Sequence, residues 1–301
     1  MPRVSIVKGD DRFANVLQAL ELAGDEIKRK IGGRVLVKVN TVMQDAPLAN
    51  THPEALRAVL AYLQPLKPGR VWVGEASGDV QALFSSSGFA GLKDEFDFEY
   101  IDFNTLGYDP LELIDLQGNP LPARLTRAAS AYDCLISLSL PKAHSDAVIT
   151  LSGKNMMGFL ENEQMWRIHG IRQFGRDDNI AVCSKVIHKN LRTLMGRVRP
   201  DVAVLDAFHS FEGGRVPQCG DGDYVEPRLA LAGADFVAVD TVATQVFGFD
   251  PQEVGYLVYA AQAGYGTMDM QQIELAGLPL AQARFPLKPA PRSEILKQWR
   301  D

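Results

Sequence analysis

Lys142, His144, Lys154, Asn155 and His169 crowd into one short stretch of this chain. It reads Pro141-Lys142-Ala143-His144, then Leu151-Ser152-Gly153-Lys154-Asn155-Met156-Met157-Gly158, then Trp166-Arg167-Ile168-His169-Gly170. Amines and imidazoles bind anions, exchange protons and ligate metals. The stretch follows an apolar run, Asp133 to Leu140, that reads as a buried strand. In open parallel sheets, ligands bind just outside the carboxyl ends of the strands.

Each residue has a chemical reading and a plainer one. Lys154 sits on a Gly turn beside Met156, Met157, Phe159 and Leu160. It could hold a phosphate or carboxylate, or act as a desolvated amine nucleophile. The plainer reading is a solvated surface lysine, and the apolar neighbours argue against that. The segment is no P-loop, because Val148 and Asn155 stand where a glycine and a Ser/Thr are required. His144 and His169 could ligate a metal or move protons; otherwise each closes a turn. Asp206 ends a strand-like run and Glu212 lies in Phe211-Glu212-Gly213-Gly214, so each is a candidate acid/base or metal-binding carboxylate, or else a cap or turn residue. Lys38 and Asn40 end another run and join Lys142 and Asn155 as candidate substrate-binding groups. Asp235 reads as a helix N-cap, whereas Asp240 falls inside an apolar helix, where an unpaired carboxylate is expensive.

Strand-like runs recur at Val4–Val7, Val35–Val39, Val71–Val73, Phe98–Phe103, Leu135–Leu138 and Val202–Leu205, with helical patterns at Phe13–Lys30, Pro53–Leu63, Ile180–Val198 and Val237–Phe247. Pro53 and Glu54 after Thr51-His52 mark a helix start. The alternation predicts an α/β fold with a mainly parallel sheet flanked by helices, arranged as one unit over residues 1–301 or as two lobes around a central cleft. Lys38 and Asn40, then Glu75, Ser77 and Asp79, then Lys142 and His144, then Asp206, His209 and Glu212 follow successive strands, so four strands deliver ionisable groups to one sheet edge. Leu116–Pro122 and Gly213–Pro227 read as long surface loops, and Leu278 to Asp301 as irregular chain packed over the body.

The 301 residues carry a formal net charge of -6 with 23% charged residues. That balance argues against nucleic acid as a partner. Asp10 and Asp11 follow the first eight residues too soon for a signal peptide's apolar core. The longest apolar stretch, Leu229 to Phe249, contains Asp235 and Asp240, which argues against a membrane span. Cys134, Cys183 and Cys219 are widely spaced with no Cys-x-x-Cys, so no zinc knuckle or ferredoxin-type cluster is expected, and the reading is cytoplasmic. Neither a G-x-G-x-x-G fingerprint nor a G-x-S-x-G elbow occurs.

Lys38-x-Asn40 with Thr51-His52-Pro53, Pro141-Lys142-x-His144, Leu151-Ser152-x-Lys154-Asn155-x-x-Gly158, His169, Glu212-Gly213 and Asp235-x-x-Ala238-Val239-Asp240 together resemble the family called domain of unknown function 362, over about residues 35–277. Many relatives carry an added iron–sulfur module whose cysteines this chain lacks, so no such cluster is implied. The order His144, Lys154, His169 is also similar to that of the nickel-pincer lactate racemases. That resemblance implies Lys154 as a cofactor anchor, His169 as a ligand of nickel or a similar divalent transition metal, and His144 as a proton-transfer group or second ligand. It departs at the early strand, where Glu75 and Ser77 stand in place of that family's second catalytic histidine, and a racemase needs a base on each face of its substrate.

The sequence therefore predicts a metal-assisted, isomerase-like or lyase-like enzyme. Lys38, Asn40, Lys142 and Asn155 would bind a small carboxylated or phosphorylated metabolite, with His144, Lys154, Asp206 and Glu212 as catalytic groups. The alternatives are a metal- or anion-binding protein without turnover, and a scaffold partner.

Overall fold

The computed structural model describes residues 1–41, 47–76, 79–171, 179–214 and 222–300. Ser77 and Cys219 lie outside them.

Eight strands form the central sheet: β1 (Arg3–Lys8), β2 (Arg34–Lys38), β3 (Arg70–Glu75), β4 (Glu99–Asp102), β7 (Cys134–Ser139), β10 (Val202–Ala207), β13 (Leu229–Gly233) and β14 (Glu274–Gly277). Their order is β14-β1-β13-β10-β7-β2-β3-β4. β10, β7, β2, β3 and β4 are mutually parallel, β14 is parallel to β1, and β13 runs antiparallel to both its neighbours. The fold is α/β with a mainly parallel sheet. The exception, β13, is hidden in the apolar stretch Leu229 to Phe249, which Asp235 divides into a strand and a helix.

Period-two alternation decides which helices cover which face. Val35, Val37, Val39, Ile136, Leu138, Val202 and Val204 pack with α1 (Arg12–Ala23) and α3 (Pro53–Leu63). Leu36, Leu135, Ala203 and Leu205 point the other way, into a core shared with α6 (Ile180–Met195), α7 (Phe236–Val246) and α8 (Gly255–Gln262). Strands covered on both faces read as continuous apolar runs, which is why these were visible in the sequence. The expected single helix Phe13–Lys30 is broken at Gly24, whose φ of 84° admits glycine without strain, so α2 (Asp25–Lys30) follows as a separate turn. α4 (Val80–Ser86) links β3 to β4.

Two smaller sheets were not anticipated. β5 (Tyr108–Ile114) and β6 (Pro120–Thr126) form a hairpin across the expected Leu116–Pro122 loop. β8 (Lys142–His144), β9 (Val148–Thr150), β11 (Ser210–Glu212) and β12 (Asp223–Val225) form a four-stranded sheet in the order β12-β11-β8-β9. β8 and β11 follow the carboxyl ends of β7 and β10 within a few residues and pair in parallel at Phe211 and Lys142. The one-turn helix α5 (Ser152–Asn155) follows β9. The tail is largely irregular, with one-turn helices α9 (Leu280–Ala283) and α10 (Ser293–Leu296), and it buries Leu287, Leu296 and Trp299. Among the described residues no helix is long and apolar enough to cross a membrane.

Candidate functional site

β2, β3 and β7 end together, and their last residues begin a buried polar network. Lys38 Nζ donates to Glu75 Oε2 at 2.8 Å and to the Val39 carbonyl at 2.7 Å, with both side chains 1% exposed. Burial weakens the Lys38 ammonium while Glu75 supports it. Asn155 joins the strand ends: its Oδ1 accepts from Asn40 Nδ2 at 3.0 Å and lies 3.4 Å from Lys38 Nζ, and its Nδ2 donates to Ser137 Oγ at 3.0 Å. Asn40 Oδ1 accepts from Lys142 Nζ at 2.7 Å. Thr51 Oγ1 accepts from Asn40 N at 2.7 Å, and His52 caps α3 through Nδ1, 3.2 Å from Glu54 N. Lys38, Asn40, Lys142 and Asn155 are thus brought together, with Lys38 and Asn155 buried deepest in the network.

The open groups adjoin that network. β8 and β9 pair with Lys142 opposite Thr150 and His144 opposite Val148. Residues directly opposite, and those two apart along a strand, share a face, so Lys142, His144 and Thr150 project together. Val148 holds φ at 66°, an unusual conformation for a β-branched residue, at the turn that fixes this hairpin. His144 Nδ1 accepts from the backbone N–H groups of Asp146 and Ala147 at 3.0 and 3.2 Å. The neutral ring must then carry its proton on Nε2. Burial, followed by the charge of Lys154, holds the His144 pKa well below its ordinary value. His144 is therefore a neutral Nε2–H donor.

His169 lies at the end of a 3-10 segment, Asn162–His169, closed by Gly170. Its ring is 6.1 Å from that of His144 between centroids, and its Nδ1 is 3.0 Å from Asp146 Oδ2. A carboxylate on Nδ1 leaves Nε2 as the available lone pair. Burial would raise the Asp146 carboxyl, but the hydrogen bond from His169 and the positive surroundings, Lys154 included, together lower it. In this arrangement His169, held by Asp146, presents an Nε2 lone pair, and His144 presents an Nε2–H.

Lys142 and Lys154 are 6% and 4% exposed. Among the described residues Lys142 Nζ has neutral oxygen partners alone, Asn40 Oδ1 and the Ala49 carbonyl at 3.4 Å. Lys154 Nζ meets the thioether of Met157 at 3.2 Å. Among the described residues neither makes an ion pair. Burial and then the charge of Lys154 pull Lys142 down to about 7, and burial pulls Lys154 down to about 8 although Asp146 opposes it. The hydroxyls of Thr41, Ser139 and Thr150 are also buried, with no partner among the described residues.

Asp240 explains how Lys154 is placed. It is fully buried in α7, and its Oδ1 accepts from Ser152 N at 3.0 Å and Ser152 Oγ at 2.5 Å while Oδ2 accepts from Gly153 N at 2.8 Å. The two backbone donors are N–H groups of the first turn of α5, which have no partner within the helix. Burial raises Asp240 to about 7. Asp235 caps α7 through Ala238 N at 3.0 Å.

Two expected catalytic groups stand elsewhere. Asp206 is on the face covered by α1 and pairs with Arg12 Nε at 3.3 Å; burial raises its pKa against that pairing. Glu212 accepts the backbone N–H of Lys288 at 2.8 Å and so anchors the tail. The strand ends are shared, but their alternation aims Asp206 to the opposite side. Asp146 went unread although His144-Ser145-Asp146 places it in the hairpin turn, and His188, buried in α6 with no partner for Nε2 among the described residues, carried no sequence signal. Among the described residues no three His, Cys, Asp or Glu groups converge to hold a metal ion. The two imidazoles and the engaged Asp146 do not by themselves make a metal centre.

The matching segments and this architecture identify the chain as belonging to the family described as Domain of unknown function (DUF362), whose model matches residues 35–245. The chain is 26% identical over 276 residues to a thylakoid-associated protein of Synechocystis sp., covering 90% of this chain and 77% of that one. It is similar to the solved lactate racemase apoprotein from Thermoanaerobacterium thermosaccharolyticum at a TM-score of 0.49 and 14% identity, over 80% of this chain and 56% of that one. A solved protein from Thermotoga maritima matches at 0.41 and 12% identity, over 68% of this chain and 53% of that one. The present chain thus spans little more than half the length of these two solved chains.

Proposed function

We propose that this is an enzyme acting on a small carboxylated or phosphorylated metabolite by Lys/His acid–base chemistry. The observation that carries the reading is the pair Lys142 and Lys154, two buried amines with no carboxylate partner among the described residues. A buried unpaired ammonium is costly, and a bound anion removes that cost. Thr150 and Ser139 offer hydroxyls to the same ligand. The His144 Nε2–H is placed to polarise a carbonyl or stabilise an oxyanion, and His169 Nε2, oriented by Asp146, to take a proton from carbon or oxygen.

A divalent transition metal would require donors beyond His144 and His169, and no step above depends on one.

The test is a thermal-melt series with inorganic phosphate and simple carboxylates, on the wild type and on Lys142→Met/Lys154→Met. Ligand-dependent stabilisation of the wild type, absent in the double variant, is expected. No shift with any anion, or an unchanged shift in the variant, would overturn the reading. Metal analysis of protein purified without chelator decides separately whether an ion accompanies the site.

A further inference from the structure

We propose that Lys154 is an imine-forming amine and that the substrate class is 2-oxo acids, with Lys142 holding the carboxylate while Lys154 Nζ attacks the adjacent carbonyl carbon. This rests on the reading of the site as one for small anions and specifies its chemistry.

The two lysines differ in how their nitrogens are engaged. Lys142 Nζ donates to Asn40 Oδ1 at 2.7 Å and lies 5.5 Å from the centre of the Phe211 ring; in the free protein it gives up its proton before Lys154 does, and a carboxylate bound against it would restore its charge. Lys154 Nζ has a sulfur neighbour, a weak acceptor that does little to retain a proton. Its stem is buried in a one-turn helix held by Asp240, so the amine is fixed rather than free to reach solvent. A desolvated, positioned amine next to a second cationic group is the arrangement that makes lysine a nucleophile at neutral pH. Lys154 also lies close enough to His144 and Asp146 for its charge to act on both. The His144 and His169 rings, 6.1 Å apart between centroids, offer the donor and the acceptor that the steps after imine formation need.

The step balances without an added oxidant or reductant. The neutral Lys154 amine adds to the carbonyl carbon, forming a C–N bond. The carbonyl oxygen leaves as water, carrying both amine protons, with the His144 Nε2–H placed to donate as the oxygen develops charge. Protonation of the imine nitrogen makes an electron sink, and His169 Nε2 accepts a proton from the neighbouring carbon to give the enamine. Reversal returns the carbon proton from solvent.

The experiment incubates the full chain with pyruvate and sodium cyanoborohydride near neutral pH, where solvent lysines stay protonated, followed by peptide mapping. An increase of about 72 Da on the peptide carrying Lys154 is expected, reduced about tenfold or more in Lys154→Arg, which keeps the charge without a primary amine. In deuterium oxide without reductant, the pyruvate methyl should exchange in the wild type and not in the variant. Propionate is the non-carbonyl control: if pyruvate and propionate both stabilise the protein but no adduct forms at Lys154, the imine is wrong and the anion site stands. If neither stabilises it, the anion reading itself fails. Purified chain in which Lys154 already bears a covalent group would also overturn the proposal.

Discussion

Asp240 in α7 accepts two hydrogen bonds from Ser152, at 3.0 Å from the backbone and 2.5 Å from the hydroxyl, across 88 residues of sequence. The carboxylate thereby does for a one-turn helix what an N-cap side chain does for a longer one, and it sets the direction in which Lys154 leaves the backbone. In Asp240→Asn the amide nitrogen would face the Gly153 N–H, two donors opposed. A loss of about 2 kcal/mol of stability in denaturant unfolding is expected at pH 8, where the wild-type side chain is the carboxylate. The pH dependence follows from linkage. A carboxyl raised from 3.8 to about 7 in the folded state binds more protons folded than unfolded between those values. Its contribution is therefore present at low pH and lost as pH rises through about 7, a slope that should vanish in the variant.

Gly158 tests the buried polar network. A Cβ there would fall 2.5 Å from Lys38 Nζ and 2.7 Å from Glu75 Oε1. With Lys38 1% exposed, the ammonium has no room to withdraw. Gly158→Ala should break the buried pair and destabilise by about 3 kcal/mol or more in chemical denaturation. A variant as stable as the wild type would show that the pair tolerates displacement.

Asp206 separates a structural carboxylate from one in the site. Its partner is Arg12, with side-chain exposures of 6% and 9%. Asp206→Ala should cost about 3 kcal/mol of stability because it leaves a buried guanidinium unpaired. Below the melting transition it should bind anions as the wild type does. Loss of anion binding in folded Asp206→Ala would place the carboxylate back in the site.

The histidine tautomers are set by neighbours and can be read by two-bond nitrogen–proton NMR. His144 should show its proton on Nε2, because Nδ1 receives the Asp146 and Ala147 amides. His169 should show it on Nδ1, facing Asp146. In Asp146→Ala the His169 preference for Nδ1–H should disappear while His144 keeps its tautomer. The opposite assignment in the wild type would exchange donor and acceptor.

What was legible in the sequence follows from what each element buries. β2, β7 and β10 are covered on both faces, so their apolar runs announced them and the ends that carry Lys38, Lys142 and Asp206. Their parallel direction was readable from the helices that alternate with them, whereas the order that sets β7 beside β2 was not. The side of the sheet on which a residue falls was not, since one step along a strand reverses it, and that step separates Asp206 from Lys38. β8, β9 and β11 are three residues each, too short for a period, so the hairpin that aligns Lys142 with His144 was invisible. Asp240 announced itself by cost, as a carboxylate among apolar residues. Asp146 gave no such signal, because an Asp in a polar turn is ordinary.

The central claim is that Lys142 and Lys154 await an anion. Bases lowered in the folded state bind fewer protons there than when unfolded, so the ligand-free protein should gain stability as pH rises from about 7 toward the ordinary lysine value of 10.5. The most direct measurement is an NMR titration of the lysine side chains, assigned with Lys142→Met and Lys154→Met, with and without inorganic phosphate. Two resonances titrating at about 7 and about 8 in the free protein and moving upward on phosphate binding are expected. Resonances that titrate at the ordinary value, or that ignore phosphate, would contradict it.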